Sequence, residues 1–244
     1  MKQGLFEIVS NIPLTENVYK MVMRGDTSAI TAPGQFVNIK LEGLYLRRPI
    51  SVCDVQGDEL TIIYKTVGKG TKQMSAMTEG KLDVLTGLGN GYDLSVSGDH
   101  PVLLGGGVGV PPMYLLAKRL IAEGKKVSVI LGFNTKNEVF YENEFKALGC
   151  EVTVTTVDGS YGLKGFVTDA LKDIPYTYFY TCGPEPMLKA VYKASSTSGQ
   201  MSFEKRMGCG FGACMGCSCK TITGYKRICK EGPVMRKEEI LWED

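Results

Sequence analysis

Val102-Leu-Leu-Gly105-Gly106-Gly107-Val108-Gly109-Val110-Pro111-Pro112 is the stretch whose reading decides the fold. It runs apolar strand, glycine loop, helix start, and Pro112 suits a first helical turn. Further strand candidates begin at Val127, Val152, Thr177 and Met201, so the spacings from Val102 are 25, 25, 25 and 24 residues. Helical patterns fill the gaps at 112–123, 141–148, 166–172 and 185–195. Leu116 with Leu120, and Ala117 with Ile121, share one helical face. Gly124 and Gly149 stand where helix C-caps belong. Strand–helix alternation at this period predicts a parallel, doubly wound α/β sheet over residues 99–205.

The glycine loop then acquires a chemical reading. Glycines let a phosphate approach the backbone, and the following helix start offers free N–H groups. Ligands of α/β sheets bind at the carboxyl ends of strands, where this loop lies. Its bland reading is a tight turn. A second loop, Cys182-Gly183-Pro184-Glu185-Pro186-Met187, closes the fourth strand at the same edge; alone it reads as a proline-capped helix start. The acid expected about 20 residues after a dinucleotide fingerprint is not in its ordinary place. The second strand ends in Gly132-Phe133-Asn134-Thr135-Lys136. No arginine there awaits a 2′-phosphate, which favours NAD over NADP.

Residues 1–98 read differently. FEIVSNI, VYKMVMRG, GQFVNIKL, RRPISVCDV and LTIIYKTV are short, β-branched and bounded by turn formers, which predicts an antiparallel barrel or sandwich. Arg47-Arg48-Pro49-Ile50-Ser51 lies in one of these runs. A strand arginine is usually solvated; one followed by a rigid proline and a hydroxyl suits gripping an anion beside a planar ring. Gly70-Thr71 reads as a helix start able to take phosphate.

Residues 206–244 are rich in cysteine and glycine. Five of the chain's 8 cysteines lie there: Cys209, Cys214, Cys217, Cys219 and Cys229. Cys209-x4-Cys214-x2-Cys217-x11-Cys229 matches the plant-type [2Fe–2S] ligand spacing. Iron in a cluster wants soft thiolate donors, and Gly208, Gly210, Gly212 and Gly216 allow a tight loop around it. Cys219 falls outside this spacing. The competing reading is structural zinc, which usually repeats a C-x2-C pair; that repeat is absent. A single histidine, His100, leaves little for Ser-His or Cys-His catalysis.

Composition narrows the rest. The chain has 244 residues and a net charge of +2, which gives no electrostatic case for nucleic acid or an anionic membrane. It has no apolar run long enough to span a bilayer and no signal-peptide segment, so a cytoplasmic location is expected.

Together the motifs resemble the ferredoxin–NADP reductase superfamily: R-x-x-S in a flavin barrel, then G-x-G-x-x-P and C-G-P-x-P-M loops in a nicotinamide domain. GCGFGACMGCSC with the later Cys229 is similar to the electron-transfer subunits of dihydroorotate dehydrogenase B, and the likeness covers the whole chain. The resemblance implies three domains: an FAD-binding β-barrel (1–98), an NAD-binding α/β domain (99–205) and a [2Fe–2S] domain (206–244). It implies FAD contacts from Arg48, Pro49, Ile50 and Ser51, from Ile63, Tyr64 and Lys65, and from Gly70 and Thr71. Relatives often carry tyrosine where Ile50 stands. Gly107 and Gly109 would face NAD phosphates, Cys182 and Gly183 the nicotinamide. Cys209, Cys214, Cys217 and Cys229 would hold the cluster. The implied work is electron passage from the FMN of a dihydroorotate-oxidising partner through [2Fe–2S] and FAD to NAD⁺, in pyrimidine (UMP) biosynthesis. The implied assembly is a heterotetramer of two copies of each subunit. Rival readings are a subunit of a sulfide dehydrogenase or transhydrogenase-like complex, and a zinc-stabilised flavin module without turnover.

Overall fold

The fold is that of a computed structural model, which describes residues 1–242. The first half of the chain closes a barrel. Its strands are β1 (Lys2–Pro13), β2 (Val18–Arg24), β3 (Phe36–Lys40), β4 (Arg48–Gln56), β5 (Glu59–Lys65) and β6 (Lys81–Leu88), in the order β1-β2-β5-β4-β3-β6, all antiparallel. Five of these match the runs read from sequence. The sixth, KLDVLTGL, was not among them, and it pairs with both β1 and β3 to close the barrel. The interior holds Met21, Met23, Val37, Ile39, Val52, Leu60 and Ile62, alternating along their strands as period-two side chains must. A short helix, α1 (Lys69–Ser75), follows β5 and sends Met74 into this core.

The second half forms the doubly wound sheet: β7 (Pro101–Gly106), α2 (Pro111–Ala122), β8 (Ser128–Phe133), α3 (Glu142–Ala147), β9 (Glu151–Thr156), β10 (Leu163–Lys164), α4 (Val167–Leu171), β11 (Tyr178–Cys182), α5 (Glu185–Ala194) and β12 (Gly199–Ser202). These six strands lie in the order β10-β9-β8-β7-β11-β12, each parallel to its neighbours. The order reverses between β7 and β11, which makes their carboxyl ends the switch point where such sheets bind ligands. Strands and helices fall within a few residues of the sequence reading, and both predicted C-cap glycines have positive φ, +77° at Gly124 and +91° at Gly149.

The sheet is not purely parallel. The last segment carries a hairpin, β13 (Ser218–Thr221) and β14 (Gly224–Arg227), then β15 (Val234–Arg236), which adds antiparallel to β12. The cysteine segment is thereby built onto the central sheet.

The barrel and the sheet are packed together. Val18, Cys53 and Ile63 on the barrel's outer face share a core with Val110, Met113, Leu116 and Leu120 of α2 and its approach. Burying each such side chain contributes roughly 1.5–3 kcal/mol. Lys118 of α2 also reaches Asp54 of β4 at 3.0 Å. Among the described residues, no helix is long and apolar enough to cross a membrane.

Candidate cofactor sites

The first site lies on β4. Directly opposed residues of an antiparallel pair point to one face, so the register sorts the motif. Arg48 opposes Ile39 and Ile50 opposes Val37; Pro49 opposes Asn38 and Ser51 opposes Phe36. Val37 and Ile39 fill the barrel, so Ile50 turns inward and packs on that core. Arg48 emerges at the barrel mouth, where α1 begins. A Cβ on Gly70 would lie 2.2 Å from Arg48 Nε, so only glycine leaves the guanidinium its place. The first-turn N–H groups of α1 lack intrahelical partners. Arg48 and the Gly70-Thr71 start therefore meet, giving a charge and backbone donors in one place. This donor set fits a pyrophosphate. The Thr71 hydroxyl is already engaged, accepting from the N–H groups of Val67 (2.9 Å) and Gly68 (3.2 Å). Thr71 thus has its backbone to offer.

The Ile63-Tyr64-Lys65 run divides in the same way. Tyr64 turns into the barrel core, where its hydroxyl donates to Asn11 Oδ1 at 3.0 Å. Burial pushes this phenol up to about 12. Ile63 and Lys65, its neighbours along the strand, point the other way, so on their face Tyr64 offers its backbone. Ile63 joins the core shared with the sheet, and β5 touches the Gly107–Gly109 turn after β7.

That turn is the second site. A Cβ on Gly109 would lie 2.2 Å from the carbonyl oxygen of Cys182, so the two loops pack backbone against backbone across the switch point. Gly107 has φ +52° and open space before it. Cys182 pairs in register with Gly105 on one side and Ser202 on the other. Burial pushes its thiol up to about 12, against a hydrogen bond with Ser202. Glu138, which the sequence reading missed, folds back from the Lys136–Glu138 turn onto the end of β8. Its carboxylate accepts from Asn134 N–H at 3.0 Å and Asn134 Nδ2 at 2.9 Å. This places a carboxylate at the carboxyl end of β8, supplied by a turn beyond the strand.

The cysteines form the third site, as two pairs. Cys209 Sγ accepts from the Cys214 N–H at 3.4 Å, and Cys217 Sγ accepts from the Cys229 N–H at 3.4 Å. Burial pushes the Cys209 thiol up, but N–H groups of Cys214, Phe211 and Ala213 more than reverse it, leaving it below the ordinary thiol range. Burial and the neighbouring Cys217 raise Cys229. Among the described residues, no group of three or more His, Cys, Asp or Glu is placed to hold a single ion. Two sulfur pairs backed by N–H donors fit a two-iron cluster, which takes two thiolates per iron. Arg227 braces the loop, donating to the Gly212 carbonyl at 2.5 Å and forking onto the Glu231 carboxylate. That fork, the largest cause, holds Glu231 down to about 2. Cys219 turns elsewhere, with its sulfur 3.9 Å from Met235 Sδ.

Comparison with known proteins bears on two of these three regions. Residues 204–241 match the model of the iron–sulfur cluster binding domain of dihydroorotate dehydrogenase B. Residues 103–193 match the oxidoreductase NAD-binding domain. The electron transfer subunit of dihydroorotate dehydrogenase B (NAD(+)) from Bacillus pumilus is 44% identical over 255 residues, covering 98% of each chain. That from Fusobacterium nucleatum is 45% identical over 250 residues, covering 96% of each.

The chain belongs to the family of dihydroorotate dehydrogenase B electron-transfer subunits.

Members of this family are electron-transfer subunits of an NAD-dependent oxidoreductase, and this chain shares their cofactors: FAD, an iron–sulfur cluster and NAD. Among solved structures, that of an NADH-dependent reduced ferredoxin–NADP oxidoreductase overlays with a TM-score of 0.88 at 32% identity. The match covers 98% of this chain and 90% of that one. A ferredoxin–NADP⁺ reductase from Neisseria gonorrhoeae with bound FAD and NADP gives 0.70 at 18% identity, over 80% and 90% of the chains, a likeness of fold.

Proposed function

We propose that this chain works in a cytoplasmic heterotetramer, two copies of it with two of an FMN-containing subunit that oxidises dihydroorotate. Electrons from that partner would leave as hydride on NAD⁺, serving pyrimidine (UMP) biosynthesis. FAD exchanges hydride with NAD and single electrons with an iron–sulfur cluster, so it is the necessary middle member. The observation that carries the reading is the packing of the cysteine segment against both the barrel and the sheet: a one-electron centre is built into a hydride-transferring module. Purely two-electron chemistry within one chain would have no use for it.

The chain's residues take these roles. Arg48 and the Gly70-Thr71 backbone would hold the FAD pyrophosphate, with Pro49, Ser51 and the Ile50 backbone facing the flavin along that strand. Ile63, Lys65 and the Tyr64 backbone would line its other side. Gly107 and Gly109 would admit the NAD phosphates, and Cys182 with Gly183 would floor the nicotinamide pocket. Cys209, Cys214, Cys217 and Cys229 would ligate the cluster. Phe211 and Met215, 44% and 61% exposed on the cluster loop, suit a docking face for the partner. Copurification with a tagged dihydroorotate-oxidising subunit tests the reading; a two-plus-two complex with dihydroorotate-dependent NAD⁺ reduction is expected. A chain that binds no such subunit, and couples instead to a sulfide dehydrogenase or transhydrogenase-like complex, would replace it. The likeness to the ferredoxin–NADP oxidoreductase keeps that second reading in view.

A further inference from the structure

On β3, Val37 and Ile39 fill the barrel, while Phe36 and Asn38 point outward beneath the cysteine segment. Phe36 packs in one cluster with Cys217, Ile228 and Cys229. Asn38 is 1% exposed, and its Nδ2 donates to the carbonyl oxygen of Cys209 at 3.3 Å. Gly210 lies on the same amide: its φ is +75°, and a Cβ there would come within 2.2 Å of Asn38 Nδ2. On its other side, Asn38 is the direct cross-strand partner of Pro49, as Phe36 is of Ser51. One buried amide therefore stands between the backbone of the first cluster cysteine and the flavin strand.

Stability does not explain this asparagine. Its Oδ1 is buried with no hydrogen-bond partner among the described residues. A half-satisfied buried amide costs more than an apolar side chain of similar size. Such an orphaned group calls for a role. We propose that Asn38 is a positioning residue, clamping the cluster loop onto the flavin strand so that electron passage between the two cofactors keeps one fixed geometry. The proposal rests on the ligand set and flavin strand read above. Electron transfer falls steeply with separation, so a loop free to ride off β3 would slow it.

The test uses the full chain loaded with FAD and iron, both contents measured. Asn38→Asp keeps the shape but offers no donor to the Cys209 carbonyl. Asn38→Leu fills the volume and serves if the aspartate variant does not fold. On rapid mixing, NADH delivers two electrons to the flavin as hydride; one then passes to the oxidised cluster and the other stays on the flavin. The hydride step should be unchanged and the second step should slow roughly tenfold, less than the ~10²-fold that a 1 Å misplacement of reacting groups can cost. The paramagnetic resonance spectrum of the reduced cluster should shift, and amide exchange at Phe211 and Ala213 should quicken. Iron-loaded variants with a normal second step and unaltered spectrum would overturn the clamp. So would iron loss accompanied by a normal rate in the loaded fraction. Failure of the ligand reading shows separately, as a cluster retained by Cys209→Ser.

Discussion

At the scale of single residues, the proposed flavin site turns on the close approach of Arg48 to Gly70. Arg48→Ala removes a charge-assisted contact worth about 1.5–3 kcal/mol, so the purified variant should be flavin-depleted; full occupancy at unchanged affinity would refute the assignment. Gly70→Ala is the subtler probe. Its Cβ would strike the far end of a flexible side chain, so the fold should tolerate it while Arg48 is pushed aside. FAD should bind more weakly with thermal stability nearly kept. Cys182 gives a prediction with a defined sign. Burial raises its thiol to about 12, so at pH 8 it stays protonated, and the thiolate is the reactive form. Mass spectrometry after iodoacetamide treatment at pH 8 should find this half-buried thiol largely unmodified; rapid labelling would contradict the raised thiol. Arg48 stands out in sequence because a charge in an apolar strand, followed by proline and serine, is a conspicuous pattern. Asn38 does not, since one amide within FVNIK carries no signal until the register sets it beside Pro49. Tyr64 marks a different limit. The run Ile63-Tyr64-Lys65 reads as one unit in sequence, yet strand alternation sends the side chain of its middle member to the opposite face.

At the scale of elements, the parallel sheet was legible because each βα unit repeats a long apolar strand and an amphipathic helix. The pieces left unread were those without such a period. KLDVLTGL closes the barrel, but a glycine and alternating polar residues blur it. VMR becomes a strand only because β12 offers it an edge. Glu138 belongs to this class: it follows a strand end through a short turn, and spacing rules look for the acid on the strand itself. Its position predicts cofactor choice. A carboxylate at the carboxyl end of β8 suits a ribose hydroxyl and repels a 2′-phosphate. Glu138→Gln should narrow the preference for NADH over NADPH by roughly 1 kcal/mol, the size of one solvent-screened charge interaction. Stopped-flow flavin reduction by each nucleotide measures it. Equal or faster reduction by NADPH in the unaltered protein would reverse the NAD preference itself.

At the scale of the whole molecule, three binding regions follow one another in sequence yet touch in space. β5 meets the Gly107–Gly109 turn, β3 meets the cysteine loop, and β15 is laid on the sheet that carries the Gly107–Gly109 and Cys182–Gly183 loops. The side chains of Asn90 extend the same joinery, donating to the Glu231 and Val234 carbonyls at 3.2 and 2.7 Å. A relay built this way should fail in a defined order. Cys214→Ser replaces a soft thiolate with a poor oxygen ligand, so iron content and the spectrum of the reduced cluster should be lost. Hydride exchange between NADH and FAD should survive, because its residues lie on β4, α1 and the β7 and β11 loops. Electron passage between this chain and the dihydroorotate-oxidising subunit should stop. Cys219→Ser should keep the cluster, since that sulfur packs on Met235. Dihydroorotate-dependent NAD⁺ reduction in the reconstituted complex decides the matter. Normal coupled turnover by a cluster-free Cys214 variant would mean that electrons reach FAD by another road, and cluster loss in the Cys219 variant would mean that the ligand set is wrong.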